Sequence, residues 1–348
     1  MIININGFKI GDSYPTFIIA EAGVNHNGNI ELAKKLIKAA KNAGADAVKF
    51  QTFSTDRTIT RNAPQAKYQK ENTGKEESQY DMVKRLELSP EDHFTLARFA
   101  REEGIMFLST PFDFESVDLL ESIGVPAYKI GSGEITNTPL LRYIASKNKP
   151  IILSTGMSTL GEIEEAIHSI KEIGNNSIAL LHCTSNYPPN IEDTNLYAIR
   201  TLQEAFKLPV GYSDHTIGIT IPIAAVALGA KIIEKHFTLD KNLPGPDHLV
   251  SLEPEELKEM IESIRMVEKA FGNGIKRPVP SEFETRVVAR KSVVVKTPIK
   301  KDEIITMDKI TFKRPGTGIL PKDLHLVLNR RAKFNLDIDH IIKLEDLY

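Results

Sequence analysis

Two hydrophobic periods alternate along most of this chain. Between Thr16 and Gly272, eight short apolar runs recur: FIIAEAG from Phe17, AVKFQTF from Ala47, IMFLSTP from Ile105, AYKIGSG from Ala127, IILSTG from Ile151, IALLHC from Ile178, PVGYSD from Pro209 and KIIEKHF from Lys231. Each is followed by a stretch of helical period, such as IELAKKLIKAAKNAG after the first and GEIEEAIHSIKEIG after the fifth. Runs of the first kind suit strands buried on both faces, and the second kind suits helices with one apolar stripe. Eight such units predict an α/β fold, a (β/α)8 TIM barrel. A doubly wound open sheet is the competitor, but it normally has fewer units and a Gly-rich first turn.

Polar residues gather at the C-terminal end of nearly every predicted strand: Glu21, Lys49 and Gln51, Ser109 and Thr110, Lys129 with Ser132 and Glu134, Ser154, the TSNY after Cys183, Ser213 and His215, then Glu234 and His236. Barrels build their active sites at that end. Alternation along a strand puts Lys49 and Gln51 on one face, and likewise Glu234 and His236. The pore-side face is therefore expected to be the polar one.

The rest of the chain divides by composition. A polar segment from Ser54 to Ser78 reads as a long loop and, by its place after the second strand, as a lid over the barrel mouth. The barrel domain is expected over residues 1–272, a Gly- and Pro-rich linker over 273–284, and a small C-terminal domain over 285–348, with strand signals at SVVVK and EIITMDKITFKRP. Lys276 and Arg277 read as a solvated face of the linker. The uncharged stretch Thr216 to Ala230 is shorter than a bilayer span and contains Pro222, so it reads as a buried helix.

A formal net charge of -2 and a sequence pI near 6.5 give no sign of a nucleic-acid or membrane-surface partner. The single cysteine, Cys183, rules out an intramolecular disulfide and suits a reducing cytoplasm, and MIININGFKIGD lacks the pattern of a signal peptide.

Several groups bear chemistry. His215 and His236 each follow an apolar run, so both can project from adjacent strand ends as a metal-binding pair that leaves positions open for substrate. Lys49 and Lys129 are expected to face one another across the mouth, an arrangement that calls for an anion such as phosphate or carboxylate. Thr110, Ser132, Ser154 and Ser213, with the amides of Gly131 to Gly133, can complete a phosphate shell. Glu21 and Glu134 suit sugar hydroxyls, proton handling or pairing with a lysine. Asn25, His26 and Asn27 suit turn chemistry or ligand contact, Asp247 suits ligand hydroxyls or a turn cap, and Cys183 suits small core filling.

The segments AEAGVNHNG, VKFQTF, LSTPFD, KIGSGE, LSTGM, LHCTSNYP, GYSDH, EKHFTLD, GPDH and KRPGTGI, in that order and spacing, resemble the sialic acid synthase family, which includes legionaminate synthases. The tail from Ser292 resembles the antifreeze-like (SAF, β-clip) domain that ends these enzymes. The resemblance implies a domain-swapped homodimer that condenses phosphoenolpyruvate with an N-acylated mannosamine-type sugar to a nine-carbon 2-keto acid. It implies that His215 and His236 hold a divalent ion, usually Mn²⁺, with Mg²⁺ or Co²⁺ as alternatives. Lys49, Thr110, Lys129, Ser132, Ser154 and Ser213 would hold phosphoenolpyruvate. Ser185 stands where some members carry Asn. Gln51, Glu134, Tyr187 and Asp247 would position the sugar, and Arg314 would contact its N-acyl group in the partner's site. N-acetylmannosamine is the first expectation for the sugar, and 2,4-diacetamido-2,4,6-trideoxymannose the alternative. A carbohydrate- or phosphate-binding protein without catalysis is the competing class. An ice-binding role for the tail is disfavoured by its charges and its lack of a flat Thr array.

Overall fold

A computed structural model describes residues 1–74 and 76–348, which form two compact units, Met1–Phe271 and Gly272–Tyr348. The first unit opens with a hairpin of β1 (Ile3–Ile5) and β2 (Phe8–Ile10). Eight strands follow: β3 (Phe17–Gly23), β4 (Ala47–Thr52), β5 (Met106–Pro111), β6 (Tyr128–Ile130), β7 (Ile151–Ser154), β8 (Ile178–Cys183), β9 (Val210–Asp214) and β10 (Ile232–His236). They hydrogen-bond in parallel in the order β5-β4-β3-β10-β9-β8-β7-β6, and β5 and β6 lie side by side at the seam of a nearly closed barrel. All eight coincide with the predicted runs.

The helices between them are set by local chemistry. The helix Ile30–Ala43 starts where the Asn29 side chain accepts from the amides of Glu31 and Leu32, and stops at Gly44, whose φ of 89° suits a residue without Cβ. Its buried stripe of Ala33, Leu36, Ile37 and Ala40 packs on the outward strand residues Ile18, Ala20, Val48 and Phe50. The stretch read as one buried helix from Thr216 to Ala230 is helical only over Thr220–Ala227, and Ile217 before it is 68 % exposed. Among the described residues, no helix is long and apolar enough to cross a membrane.

The inward faces of the strands are not polar throughout, as the sequence pattern suggested. Phe17, Ile19, Ala47, Leu108, Ala127, Ile152, Leu181 and Ile232 fill the lower barrel as an apolar plug. Ile3, Ile5 and Ile10 of the hairpin pack into the same cluster, each burial being worth about 1.5–3 kcal/mol. Only the C-terminal layer is polar. The hairpin itself went unpredicted, although Asn6 and Gly7, with φ of 48° and 90°, form the Asn-Gly turn that favours one.

The segment between Ser54 and Ser78 is not a structureless loop. It contains helical turns at Thr55–Thr58 and a helix at Lys67–Thr73, and leads into the helix Gln79–Lys84; Lys75 lies outside the described residues. The second unit pairs β11 (Ser292–Val295) with β12 (Ile310–Lys313) in antiparallel fashion around a core of Val293, Val295, Ile299, Ile305, Ile310 and Val327. Before it runs an exposed segment that includes the helix Phe283–Ala289, so the expected domain start at residue 285 falls within a helix. Arg314 lies in this second unit and is exposed.

Candidate active site

The polar layer of the barrel centres on four buried charges. Lys49 Nζ lies 2.6 Å from Glu21 Oε2 and 3.8 Å from Glu234 Oε2, while Lys129 Nζ lies 3.4 Å from Glu234 Oε1. None of the four is more than 5 % exposed. The two ammonium groups do converge, but the protein supplies their anions. Lys49 also donates to Thr110 Oγ1 at 3.1 Å, and Ser213 Oγ donates to Glu234 Oε1 at 3.0 Å. Burial pushes Glu21 up to about 7, against the pull of Lys49 and with help from Glu234. Burial also lowers Lys129, whereas for Glu234 the desolvation is outweighed by Lys129 and Lys49, leaving its pKa below the usual range.

Beside this cluster stand His215 and His236, with ring centroids 5.5 Å apart. His215 Nδ1 lies 2.8 Å from the Thr184 carbonyl, which can only accept, so Nδ1 carries the proton and Nε2 the lone pair. His236 Nδ1 is buried without a hydrogen-bond partner and lies 3.9 Å from Asp247 Oδ2. Burial depresses both imidazoles, His236 further because His215 and Lys49 lie near. Two neutral rings, one with an unpartnered buried nitrogen, fit a divalent ion. Among the described residues, no group of three or more His, Cys, Asp or Glu is placed to hold a metal, so the other positions would fall to water and substrate. The Tyr187 ring covers the pair, 4.0 Å from His215 and 5.7 Å from His236.

A third group is a ring of small polar atoms. Ser132 Oγ accepts from the Gly156 amide at 2.9 Å and lies 3.1 Å from Cys183 Sγ; Ser185 Oγ lies 4.0 Å from that sulfur. Ser154 Oγ is buried with no hydrogen-bond partner. Gly156 lets these groups close in, since a Cβ there would fall 2.2 Å from Ser185 Oγ and 2.8 Å from Cys183 Sγ. At the other side of the mouth, Glu134 accepts from Asn137 at 2.7 Å and shares a cavity of about 480 Å³ with Gln51, Phe53, Arg57 and Phe112. Asp247 is 7 % exposed, and burial pushes it up to about 6.

The barrel unit thus gathers every expected site residue except Arg314, which belongs to the second unit. Asn25 and Asn27 tie the turn after β3 to the segment after β10: Asn25 Nδ2 donates to the Phe237 carbonyl and Ser251 Oγ, both at 2.9 Å, and Asn27 Oδ1 meets His248 Nε2 at 3.2 Å. His182 points outward to the Thr194 carbonyl at 2.8 Å. Ser109 also faces out, 2.7 Å from Thr52 Oγ1. Two central residues had been given no role. Glu234 was signalled by sharing a strand face with His236. Tyr68, stacked 5.0 Å from Tyr187, carries no signal in the pattern because its position depends on the fold of the lid. Asn72 of the same helix donates to the Pro246 carbonyl at 2.7 Å, fastening the lid across the mouth.

A (β/α)8 barrel whose mouth holds a neutral histidine pair, a lysine-carboxylate cluster and a hydroxyl ring defines the active site of an enzyme. The chain belongs to the NeuB family, whose model matches residues 36–276, and residues 290–347 match the SAF domain. It is 52% identical over 330 residues to the N,N'-diacetyllegionaminic acid synthase of Campylobacter jejuni, covering 94% of this chain and 99% of that one. The N,N'-diacetyllegionaminic acid synthase of Legionella pneumophila is 50% identical over 337 residues, covering 95% of each. A crystal structure of N-acetylneuraminic acid synthetase from Leptospira borgpetersenii superposes with a TM-score of 0.74 at 39% identity, over 82% of this chain and 95% of that one.

Proposed function

We propose that this enzyme condenses phosphoenolpyruvate with the open-chain aldehyde of an N-acylated mannosamine-type sugar, giving a nine-carbon 2-keto acid and phosphate. The observation that carries this reading is the meeting of a neutral histidine pair with the Lys49, Lys129, Glu21 and Glu234 cluster in one mouth. With Glu21 protonated, two ammonium groups face one carboxylate, and the cluster holds a net positive charge toward an incoming anion. Thr110, Ser132, Ser154 and Ser185 would donate to its phosphate and carboxylate oxygens, and Ser213 would join them by turning its hydroxyl from Glu234 to the anion.

C3 of the enol phosphate bonds to the aldehyde carbon, water adds at C2, and the bond from C2 to the bridging oxygen breaks to release phosphate. Glu21, with its pKa near 7, would give its proton to the oxygen of the former aldehyde and then, as the carboxylate, take a proton of the added water; the second proton of that water would leave with the phosphate, which Lys49 and Lys129 would hold. Gln51, Glu134, Tyr187 and Asp247 would orient the sugar hydroxyls. A divalent ion on His215 and His236, Mn²⁺ with Mg²⁺ or Co²⁺ as alternatives, would supply Lewis-acid polarisation of the aldehyde. Arg314 would reach the N-acyl group in the partner's site of a domain-swapped homodimer. The composition supports a cytoplasmic enzyme.

N-acetylmannosamine was the first expectation for the sugar. The relatives favour 2,4-diacetamido-2,4,6-trideoxymannose, because the diacetyllegionaminic acid synthases are 50–52% identical and the N-acetylneuraminic acid synthetase 39%. Phosphate release from phosphoenolpyruvate with Mn²⁺ and each sugar tests the reading. Turnover with the diacetamido sugar is expected, and none with either sugar would leave a binding protein.

A further inference from the structure

The cavity beside Gln51 and Glu134 lies across the barrel from the histidine pair. In the strand order, β5 is four places from β9 and β6 is four places from β10, which in a ring of eight is the opposite wall. The cavity opens beyond the ends of β4 and β5 and beside Glu134, which follows β6, and the lid covers it. A sugar whose aldehyde end stands at His215 and His236 therefore directs its far carbons into this space.

The walls are of two kinds. Phe53 and Phe112, whose rings meet edge to face at 6.3 Å, form an apolar side with Ile59 and Val83. The polar side has the amides of Gln51, Gln69, Gln79 and Asn137, the Thr58 hydroxyl and the Glu134 carboxylate. Arg57, also at the wall, is engaged by Asp113 at 3.1 Å and Glu115 at 3.4 Å, so its charge is already met. A hydroxymethyl group would lose water against Ile59, Val83 and the two Phe rings without a matching partner there, whereas a methyl group gains from the same contact. An acetamido group suits the amides, which offer both a donor and an acceptor.

We propose that this cavity is the subsite for C4 to C6 of the sugar, and that Phe53, Ile59, Val83 and Phe112 select a 6-deoxy, 4-acetamido substrate over N-acetylmannosamine. This rests on the condensation reading above. None of the four touches the reacting carbons, so their effect falls on the choice between sugars.

The test is the ratio of kcat/KM for 2,4-diacetamido-2,4,6-trideoxymannose over N-acetylmannosamine, in the wild type and in Ile59→Asn and Val83→Asn. An apolar pocket disfavours an added hydroxyl by roughly 100-fold, so the wild-type ratio should exceed about tenfold and each variant should bring it down by about tenfold. A ratio unmoved in variants that still turn over would overturn the subsite while leaving the condensation reading intact. Wild-type turnover of neither sugar would remove both. A series needing no variant guards against misfolding: 6-deoxy-N-acetylmannosamine should outperform N-acetylmannosamine with the wild-type enzyme. Equal or poorer use of the 6-deoxy sugar would overturn the assignment.

Discussion

Asp214 and Lys235 form an ion pair, Oδ2 to Nζ 2.6 Å, with neither side chain exposed. Each immediately precedes one of the two histidines, and both lie on the outward face of the barrel wall. Thr216 closes the network, donating from its amide and hydroxyl to Asp214 at 3.0 Å and accepting from Lys235 at its carbonyl. The pair fastens the end of β9 to the end of β10 from behind. Removing one partner leaves a buried charge, so Lys235→Met should cost about 3–5 kcal/mol. Replacing both, as Asp214→Leu with Lys235→Met, should recover most of that loss. Urea unfolding of the two variants checks this, and equal losses would show that the charge pairing is not what matters.

Glu21 makes stability depend on pH in a predictable direction. Its folded pKa, about 7, lies above the ordinary 4.5, so the folded chain binds the proton more tightly than the unfolded one. The contribution is complete below about pH 4.5 and is lost as pH rises through 7, on the order of 3 kcal/mol in total. Asp247, raised to about 6, acts in the same sense. Unfolding free energies from pH 5 to 8 should therefore fall less steeply in Glu21→Gln than in the wild type. The same variant should lower kcat by about 10²- to 10⁴-fold if this carboxylate takes the proton of the added water.

The eight strands were legible because a strand buried on both faces must be apolar for four or more residues. The helices between them show their own period. The polar layer was legible for a related reason: Lys49, Lys129, Glu234 and His236 interrupt otherwise apolar runs. What neutralises the two lysines was not legible. Glu234 comes within reach of Lys49 only because β10 pairs with β3, which pairs with β4, and neighbours in a barrel need not be neighbours in sequence. The lid was legible as a place but not as a structure. Its helix Lys67–Thr73 has too few apolar residues to show a period, and the stacking of Tyr68 on Tyr187 is a tertiary contact.

The histidine pair predicts its own metal chemistry. In His215→Ala or His236→Ala one imidazole of two is lost, and since only water and substrate would be left to supply the remaining positions, affinity for the ion should fall by at least about tenfold. The signal of free Mn²⁺ in electron paramagnetic resonance measures this without reference to turnover. A variant that binds Mn²⁺ as the wild type does, or that works in chelator-treated buffer, would remove the pair from the site.

Bond cleavage can be traced with phosphoenolpyruvate carrying ¹⁸O at its bridging enol oxygen. If C2 takes up water and then releases phosphate, the label leaves with the phosphate. Mass spectrometry of both products decides the matter. Label retained in the keto acid would exclude C-O cleavage and, with it, the role given to Glu21.

Gly156 offers the sharpest geometric test of the anion site. An added Cβ would fall 2.2 Å from Ser185 Oγ, 2.8 Å from Cys183 Sγ and 2.9 Å from Ser132 Oγ, all at the ends of short side chains rather than backbone. Those groups can rotate away, so Gly156→Ala should fold with little loss of stability. The cost falls on the ring itself, because Ser132 would give up its bond from the Gly156 amide and the hydroxyls would no longer point inward together. Each lost hydrogen bond to a charged group is worth about 1.5–3 kcal/mol, so KM for phosphoenolpyruvate should rise by at least about tenfold while KM for the sugar changes little. If both constants rise together, the hydroxyl ring does not hold the phosphate, and the anion must be met by Lys49 and Lys129 alone.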